Sequence, residues 1–487
     1  MIFDRLLAVA ATAAETSGVR QKDEFQSYAA LVQRIERLAA GFASRGLAEG
    51  DVVGLLMPNS VEIFVVAHAL FAIGAIVMPL DPHATRAELA GLTRRTGLAA
   101  VIATPASRTT GELLLTDAAP SGQLFITTEL DAVQRAPMRL PKLAGGTPAL
   151  YLSSSGSTGL PKIVPHTHAE ILADGARTSG AWNLEPDDIV INVLPPNFAM
   201  GFLLGVIDTA YRGATTLYWN SPLPLALARR NLLEAMAAHR VTLMGAVPAM
   251  YEIIAAQKGA FDLRLRIAFS GGAALKRSTF EAVRNQFGIA LRQAYGSTEA
   301  IFVSQNDAPN PDASWASVGR PAGDAEVRIV PVDSSLGDGV GELQIRSSSL
   351  MQGYIDEPEA NAGAFDNGWF RSGDLASLDD EGRITIRGRS KLLIEVSGFK
   401  VDPIEVEDTL GSHPAILELA VAAVPDTRAG NRLRAYVVRK SDLSEDDVIR
   451  YARERLSTHK VPSEIAFVDA LPRSPTGKLL RAKLVGL

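Results

Sequence analysis

The sequence predicts an α/β fold: parallel-rich sheets covered by helices over a large N-terminal region, then a small β-rich stretch and an α+β C-terminal region. Three observations carry that reading. Helical runs alternate with short apolar strands from the N-terminus to about residue 306, the rhythm of parallel sheets flanked by helices. Beyond Asn306 the strands shorten and are separated by Gly, Asp and Ser turns. The chain has 487 residues, more than one ordinary domain, so at least two cores with a site between them are expected.

The elements follow in order. Residues 5–14 have the size of a signal-peptide core, yet Asp4 precedes them, Glu15 follows and no basic leader is present, so they read as an ordinary first helix. Residues 29–45 have helical spacing, 51–57 read as a strand, 61–73 as a helix stopped by Gly74, and 75–80 as a strand. His68 and Gly74 interrupt the apolar run 63–80, which makes it a buried helix and strand rather than a membrane span, and the cytoplasm is the expected compartment. Strands are expected at 149–153, 188–193, 215–219, 241–245, 266–270 and 290–295. Each runs at its C-terminal end into a polar or glycine-rich loop, where open α/β sheets bind ligands. Strands 325–331, 341–346 and 383–387 belong to a β subdomain of about 307–387. Past a boundary near Gly388, residues 391–396 form a strand. Asp402-Pro403-Ile404-Glu405 then starts a helix, with Asp402 as N-cap, Pro403 as first helical residue and Glu405 as capping-box partner. Strands at 419–424 and 433–438 and a helix through 446–456 complete the chain.

Composition excludes several function classes. Hydrophobic residues make up 47% and charged residues 21%, which leaves little room for a long disordered tail. With a formal net charge of −6 there is no overall positive field for nucleic acid or anionic lipid, and small molecules are the expected partners. With no cysteine the chain has no disulfide, no thiolate zinc site and no catalytic thiol, so any thiol in its chemistry arrives with a substrate.

The densest chemical signal is Ser153-Ser-Ser-Gly-Ser-Thr-Gly-Leu-Pro-Lys162, directly after an apolar strand. Glycines let backbone N–H groups approach an anion, hydroxyls add donors and Lys162 adds charge, a composition suited to phosphates. Leu160-Pro161 separates Gly159 from Lys162, so the segment is not a Walker loop, and it also fails the Gly-x-Ser-x-Gly pattern. Tyr295-Gly-Ser-Thr-Glu299 offers an aromatic face for a base, hydroxyls for phosphate and a carboxylate for a divalent cation; alternatively it is a turn into a helix capped by Ser297 or Thr298. Trp369-Phe-Arg-Ser-Gly-Asp374, Gly388-Arg389-Ser-Lys391, Ser397-Gly-Phe-Lys400 and Pro472-Arg-Ser-Pro-Thr-Gly-Lys478 are, singly, turns carrying charge.

Together and in this order these segments resemble the adenylate-forming superfamily of acyl-CoA synthetases, aryl-acid ligases, peptide-synthetase adenylation domains and luciferases. The resemblance runs from roughly Tyr28 to Lys483, and Ser317-Val-Gly-Arg-Pro321, Gly341-Glu-Leu, Gly353-Tyr354 and Ser270-Gly-Gly-Ala-Ala274 add to it. It implies that Ser154, Ser155, Gly156, Ser157, Thr158, Gly159 and Lys162 hold the β- and γ-phosphates of ATP. Tyr295 would stack on adenine, with Gly272, Ala273, Gly296 and Ser297 around the nucleotide. Thr298 would contact the α-phosphate and Glu299 would hold Mg2+. Asp374 and Arg389 would meet the ribose, and Lys478 would bridge the substrate carboxylate and α-phosphate. Residues 1–387 would then form the ATP- and acyl-binding domain. Residues 388–487 would form a mobile domain swinging about a hinge near 389–391, with Lys391 at the hinge and Ser397, Gly398, Phe399 and Lys400 entering for thiolation. The implied reaction is ATP-dependent formation of an acyl-adenylate and then of a coenzyme A thioester, by a monomer or homodimer. Alternative acceptors are a carrier protein or an amine.

The acyl pocket implied by the resemblance draws on Asn197, Phe198, Gly201, Ala246, Gly271 and Ala294. This set is mostly apolar, and residues 197–202 contain no Asp to meet a substrate ammonium, so an aromatic or medium-sized apolar acid is expected. Asn197-Phe198 stands where many relatives carry an aromatic pair. Asn197 either bonds a substrate substituent or caps a helix starting at Phe198. Ile163 replaces a common glycine, outside the phosphate cradle. His166 and His168 are spaced for a metal pair on a strand, but no third ligand is near in sequence, and a structural role is expected.

Overall fold

The computed structural model describes residues 1–82, 84–154, 161–332, 336, 339–389, 392, 394–396, 399–426, 430–473 and 479–486. The fold is α/β, and the chain packs as two compact units: residues 1–315, 321–326 and 346–370 form the first, and 316–320, 327–345 and 371–487 the second.

The first unit is built on two mostly parallel sheets. One has eight strands, in spatial order Ile301–Gln305, Arg292–Ser297, Ile267–Ser270, Leu243–Ala246, Ile189–Asn192, Thr215–Tyr218, Gly18–Gln21 and Glu24–Ser27. Its six inner strands are parallel and each edge is closed by an antiparallel hairpin, so the C-terminal ends of the inner strands share one side. The other runs Gln123–Ile126, Leu98–Ala103, Val52–Leu56, Ile76–Pro79, Pro148–Ser154 and Lys162–Thr167, with only the last strand antiparallel. Helix Val61–Ile73 is buried on every face, and Gly74 ends it at φ 81, a left-handed conformation that suits glycine. Its apolar run thus reflects burial in protein, and among the described residues no helix is long and apolar enough to cross a membrane.

Helix Ala199–Phe202 continues into a π-helical turn, Leu203–Asp208. That turn frees carbonyls from the normal ladder, and neighbouring hydroxyls take them: Thr209 Oγ1 donates to Leu204 (2.7 Å), while Thr216 Oγ1 (3.3 Å) and the Tyr218 hydroxyl (2.8 Å) donate to Gly205.

In the second unit, strands Ile416–Asp426 and Gly430–Arg439 pair antiparallel, with Glu464–Phe467 parallel beside the latter. Helix Pro403–Gly411 begins as expected at Pro403, with the Asp402 carboxylate accepting from the N–H of Ile404 at 2.9 Å. The capping box expected from Glu405 does not form: its carboxylate binds the Lys460 ammonium at 2.7 Å instead. The Lys460 ammonium reaches both oxygens of that carboxylate.

Candidate active site

Strands Pro148–Ser154 and Lys162–Thr167 pair antiparallel with Ser154 opposite Lys162, so the serine- and glycine-rich segment joins the two strands of a hairpin. Ser155, Gly156, Ser157, Thr158 and Gly159 lie outside the described residues; both ends of their segment are fixed by the ladder. The Lys162 ammonium lies 4.6 Å from the centre of the Tyr354 ring. Ile163 is fully buried, and its carbonyl accepts the N–H of Ile355 at 3.1 Å.

The segment Tyr295–Glu299 is not the start of a helix. Tyr295, Gly296 and Ser297 end the strand Arg292–Ser297, residues 298–300 turn, and Ile301–Gln305 returns antiparallel. Gly296 is required there, because a Cβ would lie 2.1 Å from the Ile301 carbonyl oxygen. Ile301 adopts φ 56, which is costly for a β-branched residue and persists only where surrounding contacts enforce it.

Those contacts are polar groups from strand Lys162–Thr167, helix His168–Ala181 and the stretch 349–354. His166 Nε2 lies 2.8 Å from the Thr298 carbonyl. Burial lowers the His166 pKa, so the ring is neutral and Nε2 carries the hydrogen that it donates. The Met351 N–H donates to the Glu299 carbonyl at 2.9 Å, and the Ser349 hydroxyl to that of Ala300 at 3.2 Å. Asp174 Oδ1 accepts from the N–H of Phe302 at 3.0 Å, and Arg177 Nη1 donates to the Phe302 carbonyl at 2.9 Å. Arg177 also donates to Ser349 Oγ (2.7 Å) and, through Nε and Nη2, to Asp324 (3.0 and 2.7 Å). Burial pushes Asp174 up to about 7 against the pull of Arg177. Burial also raises Asp208 well above the usual carboxylate range, with Asp174 adding to the effect. Finally, the Tyr354 hydroxyl donates to Glu299 Oε1 at 2.9 Å, its phenol pKa raised by burial and then by that carboxylate.

On the neighbouring strand ends, a pair of buried amides shapes the loop after Asn192. Asn192 Nδ2 donates to Asn59 Oδ1 (3.3 Å) and to the Gly201 carbonyl (2.9 Å), and Asn59 Nδ2 donates to Leu194 (2.7 Å). That loop places Phe198 and Met200 against the glycines after strand Ile267–Ser270: a Cβ on Gly272 would meet Phe198 Cζ at 3.0 Å, and one on Gly271 would meet Met200 Sδ at 3.4 Å. Ala294 O is also 3.4 Å from that second position, and the Ala246 carbonyl accepts the Gly271 N–H at 3.1 Å. Phe198, Ala246, Gly271, Gly272 and Ala294 are therefore one cluster. Gly201 lies in the short helix Ala199–Phe202 that follows this loop, and Ala273 follows the glycines, exposed. The short helix starts at Ala199 with Phe198 at its cap position and no side chain capping it, so the capping role weighed for Asn197 is not present.

Family models match the chain over most of its length: that of the AMP-binding enzymes covers residues 8–355, and that of the AMP-binding enzyme C-terminal domain covers 405–478. The chain belongs to the AMP-binding enzyme family. It is 31% identical to a 4-coumarate–CoA ligase of Pinus taeda, over 99% of this chain and 93% of that one. To the long-chain-fatty-acid–CoA ligase FadD13 of Mycobacterium tuberculosis it is 30% identical, over 95% and 93%. Its fold matches the crystal structure of ATP-bound MatB from Rhodopseudomonas palustris with a TM-score of 0.89 at 25% identity, over 99% and 97% of the two chains.

In the second unit of this AMP-binding enzyme, Asp374 and Arg389 are cross-strand partners, and Arg389 Nε binds Asp374 Oδ1 at 2.7 Å. Lys391, Ser397, Gly398 and Lys478 lie outside the described residues. The backbones of Phe399 and Lys400 belong to strand Phe399–Val401, which pairs with Ile394–Val396. Sequence reasoning missed Asn59, Asp174, Arg177 and Asn192, and gave Tyr354 no role. The available signal was polarity in apolar surroundings: Asn192 ends a strand of Ile and Val, and Asp174 and Arg177 stand three apart on one helix face.

Proposed function

We propose that this AMP-binding enzyme is an acid–thiol ligase that consumes ATP and forms AMP, acting on an aromatic or medium-sized apolar carboxylic acid with coenzyme A as acceptor. The observation that carries the reading is the convergence, within one unit, of Lys162 at the end of its hairpin, the turn Thr298–Glu299, and the apolar cluster of Phe198, Gly271 and Ala294. Full-length similarity to CoA ligases supports it.

In the first half-reaction a substrate carboxylate oxygen attacks the α-phosphorus, the bond to the bridging oxygen breaks and pyrophosphate leaves. Both reactants are anions, so cations must lower the barrier. We assign Lys162, with Ser154 to Gly159, to the β- and γ-phosphates, Thr298 to the α-phosphate, and Lys478 to the oxygens between carboxylate and phosphorus. Lysine keeps its charge at neutral pH. The donor set at the turn fits a hard cation, since Glu299 presents a carboxylate of which Tyr354 uses one oxygen. Mg2+ held there would screen the charge of the departing pyrophosphate. Tyr295 is assigned to the adenine face and Asp374 with Arg389 to the ribose. In the second half-reaction the thiol sulfur attacks the acyl carbon, the bond from that carbon to the phosphate oxygen breaks, AMP leaves with that oxygen and the electron pair, and the thiol proton passes to solvent. We assign residues 388–487 to a mobile domain turning about 389–391, which exchanges Lys478 for the segment Ser397–Lys400.

The test is pyrophosphate release over a panel of aryl, fatty and dicarboxylic acids, with and without coenzyme A. Release with aryl or medium-chain acids, and thioester only with coenzyme A, supports the reading. Turnover confined to polar acids, or product formed with amines alone, overturns it.

A further inference from the structure

Tyr354 is fixed more firmly than a loop tyrosine requires. Its N–H donates to Asn361 Oδ1 at 2.7 Å and its carbonyl accepts from Asn361 Nδ2 at 2.8 Å, so one amide side chain satisfies both backbone groups. Gly353, at φ 149, makes the bend before it, and the N–H of Ile355 ties the next residue to the Ile163 carbonyl at 3.1 Å. The result is a ring held between two charges of opposite sign: its hydroxyl is 2.9 Å from Glu299 Oε1, and its centre is 4.6 Å from the Lys162 ammonium.

The chemistry of that placement is specific. An ammonium and a carboxylate this close to a common side chain would ordinarily pair directly and cancel. A phenol orients the carboxylate by a hydrogen bond without adding positive charge, and its π face attracts the ammonium while engaging none of its N–H donors in a hydrogen bond. Both charges stay available, the anion for a divalent cation and the cation for phosphate oxygens.

We propose that Tyr354 is a positioning residue that keeps Lys162 and Glu299 from neutralising each other and presents them together to a nucleoside triphosphate with its divalent cation. The proposal rests on the assignment of Glu299 to the cation and Lys162 to the phosphates. Tyr354→Phe keeps the ring and deletes the hydroxyl; Tyr354→Leu deletes both.

The test measures ATP binding by calorimetry over a series of Mg2+ concentrations, beside acid-dependent ATP–pyrophosphate exchange, for both variants and for Glu299→Gln. In Tyr354→Phe the Mg2+ concentration for half-maximal binding should rise about ten-fold, the scale of one lost charge-assisted hydrogen bond, with ATP affinity at saturating Mg2+ and KM for the acid unchanged. Tyr354→Leu should in addition weaken ATP several-fold at saturating Mg2+, and restoring the ring as Phe should recover only that second loss. An unchanged Mg2+ requirement in Tyr354→Phe, with a shifted one in Glu299→Gln, overturns the proposal alone. If Glu299→Gln also leaves the requirement unchanged, the cation assignment falls and the proposal falls with it.

Discussion

Replacing Arg177 by Met tests how the turn after Glu299 is held. The side chains of Arg177 and Asp174 are each 1% exposed, whereas that of Asp324 is 49% exposed, so the interaction with Asp324 is solvent-screened and contributes ~1 kcal/mol or less. The cost of Arg177→Met therefore comes from Asp174, left buried without its cation, and from the Phe302 carbonyl, left without a donor; together these destabilise by about 3–5 kcal/mol. Adding Asp174→Asn removes the stranded charge and should recover part of that loss, with a coupling of about 1–3 kcal/mol. The pH dependence has a definite sign. Asp174 is raised to about 7 when folded, so between its unfolded pKa and about 7 the folded state binds more protons and stability falls as pH rises. Arg177 pulls that pKa down, and its removal extends the decline above pH 7 by up to about 1.4 kcal/mol per pH unit. The penalty of Arg177→Met should hence be larger at pH 8 than at pH 6. Urea unfolding followed by circular dichroism at both pH values measures it. A penalty below ~1 kcal/mol, or one equal at the two pH values and untouched by Asp174→Asn, would refute this account.

Other outcomes follow from the same geometry. Burial lowers His68 and His168 to about 4, so these rings stay neutral in the fold but charge in the unfolded chain below their usual 6.5. Stability should fall as pH drops from about 6.5 to 4, by up to ~3 kcal/mol for each, and His68→Gln should flatten that slope in acid titrations. Lys478→Ala should cut acyl-adenylate formation by orders of magnitude while sparing thioester formation from preformed acyl-adenylate; Lys391→Pro should do the reverse, and equal losses in both half-reactions would contradict both assignments. Asn197→Leu should lower kcat/KM for an aryl acid with a polar ring substituent about ten-fold relative to the unsubstituted acid, with Tm little changed, since no capping bond is lost; an unchanged ratio removes Asn197 from substrate recognition.

The layered fold was legible because its signals are local and periodic. Helix Val61–Ile73 and its stop at Gly74, and strand Gly341–Arg346, stand where apolar runs and turn residues put them. The other expected strands lie within a few residues of observed ones, but Gly18–Gln21, Leu98–Ala103, Lys162–Thr167, Ile301–Gln305 and Trp369–Leu378 were not expected as strands, and the start of the last was read as a charged turn. What was not legible depends on partners far apart in sequence. The choice between hairpin and helix after Tyr295 turns on Ile301 at φ 56, which is enforced by groups from residues 166–177 and 349–351. Local propensity could not reveal it, because Ser297 and Thr298 are good caps in either case. Glu405 failed as a capping partner for the same kind of reason, since Lys460 lies 55 residues away. Of the proposed site, the residue types could be read from the sequence but their connection through Tyr354 could not.

On the proposed assignment, the nucleotide side and the acid side of the first unit's site are held by different means. On the turn side, the backbone carbonyls of Thr298, Glu299, Ala300 and Phe302 are each taken by a separate donor, from His166, Met351, Ser349 and Arg177. Removing the side chain of His166, Ser349 or Arg177 leaves an acceptor unpaired and strain at Ile301 less supported, so substitutions at those three positions are costly. On the cluster side, the apolar side chains of Phe198 and Met200 pack beside Gly272 and Gly271, and their loop is anchored one step away by Asn59 and Asn192. Apolar contacts of that kind tolerate exchange of similar volume at less than about 1.5 kcal/mol. Phe198 and Met200 thus tolerate exchange at little cost, while Asn59, Asn192 and the donors of the turn hold the frame around them.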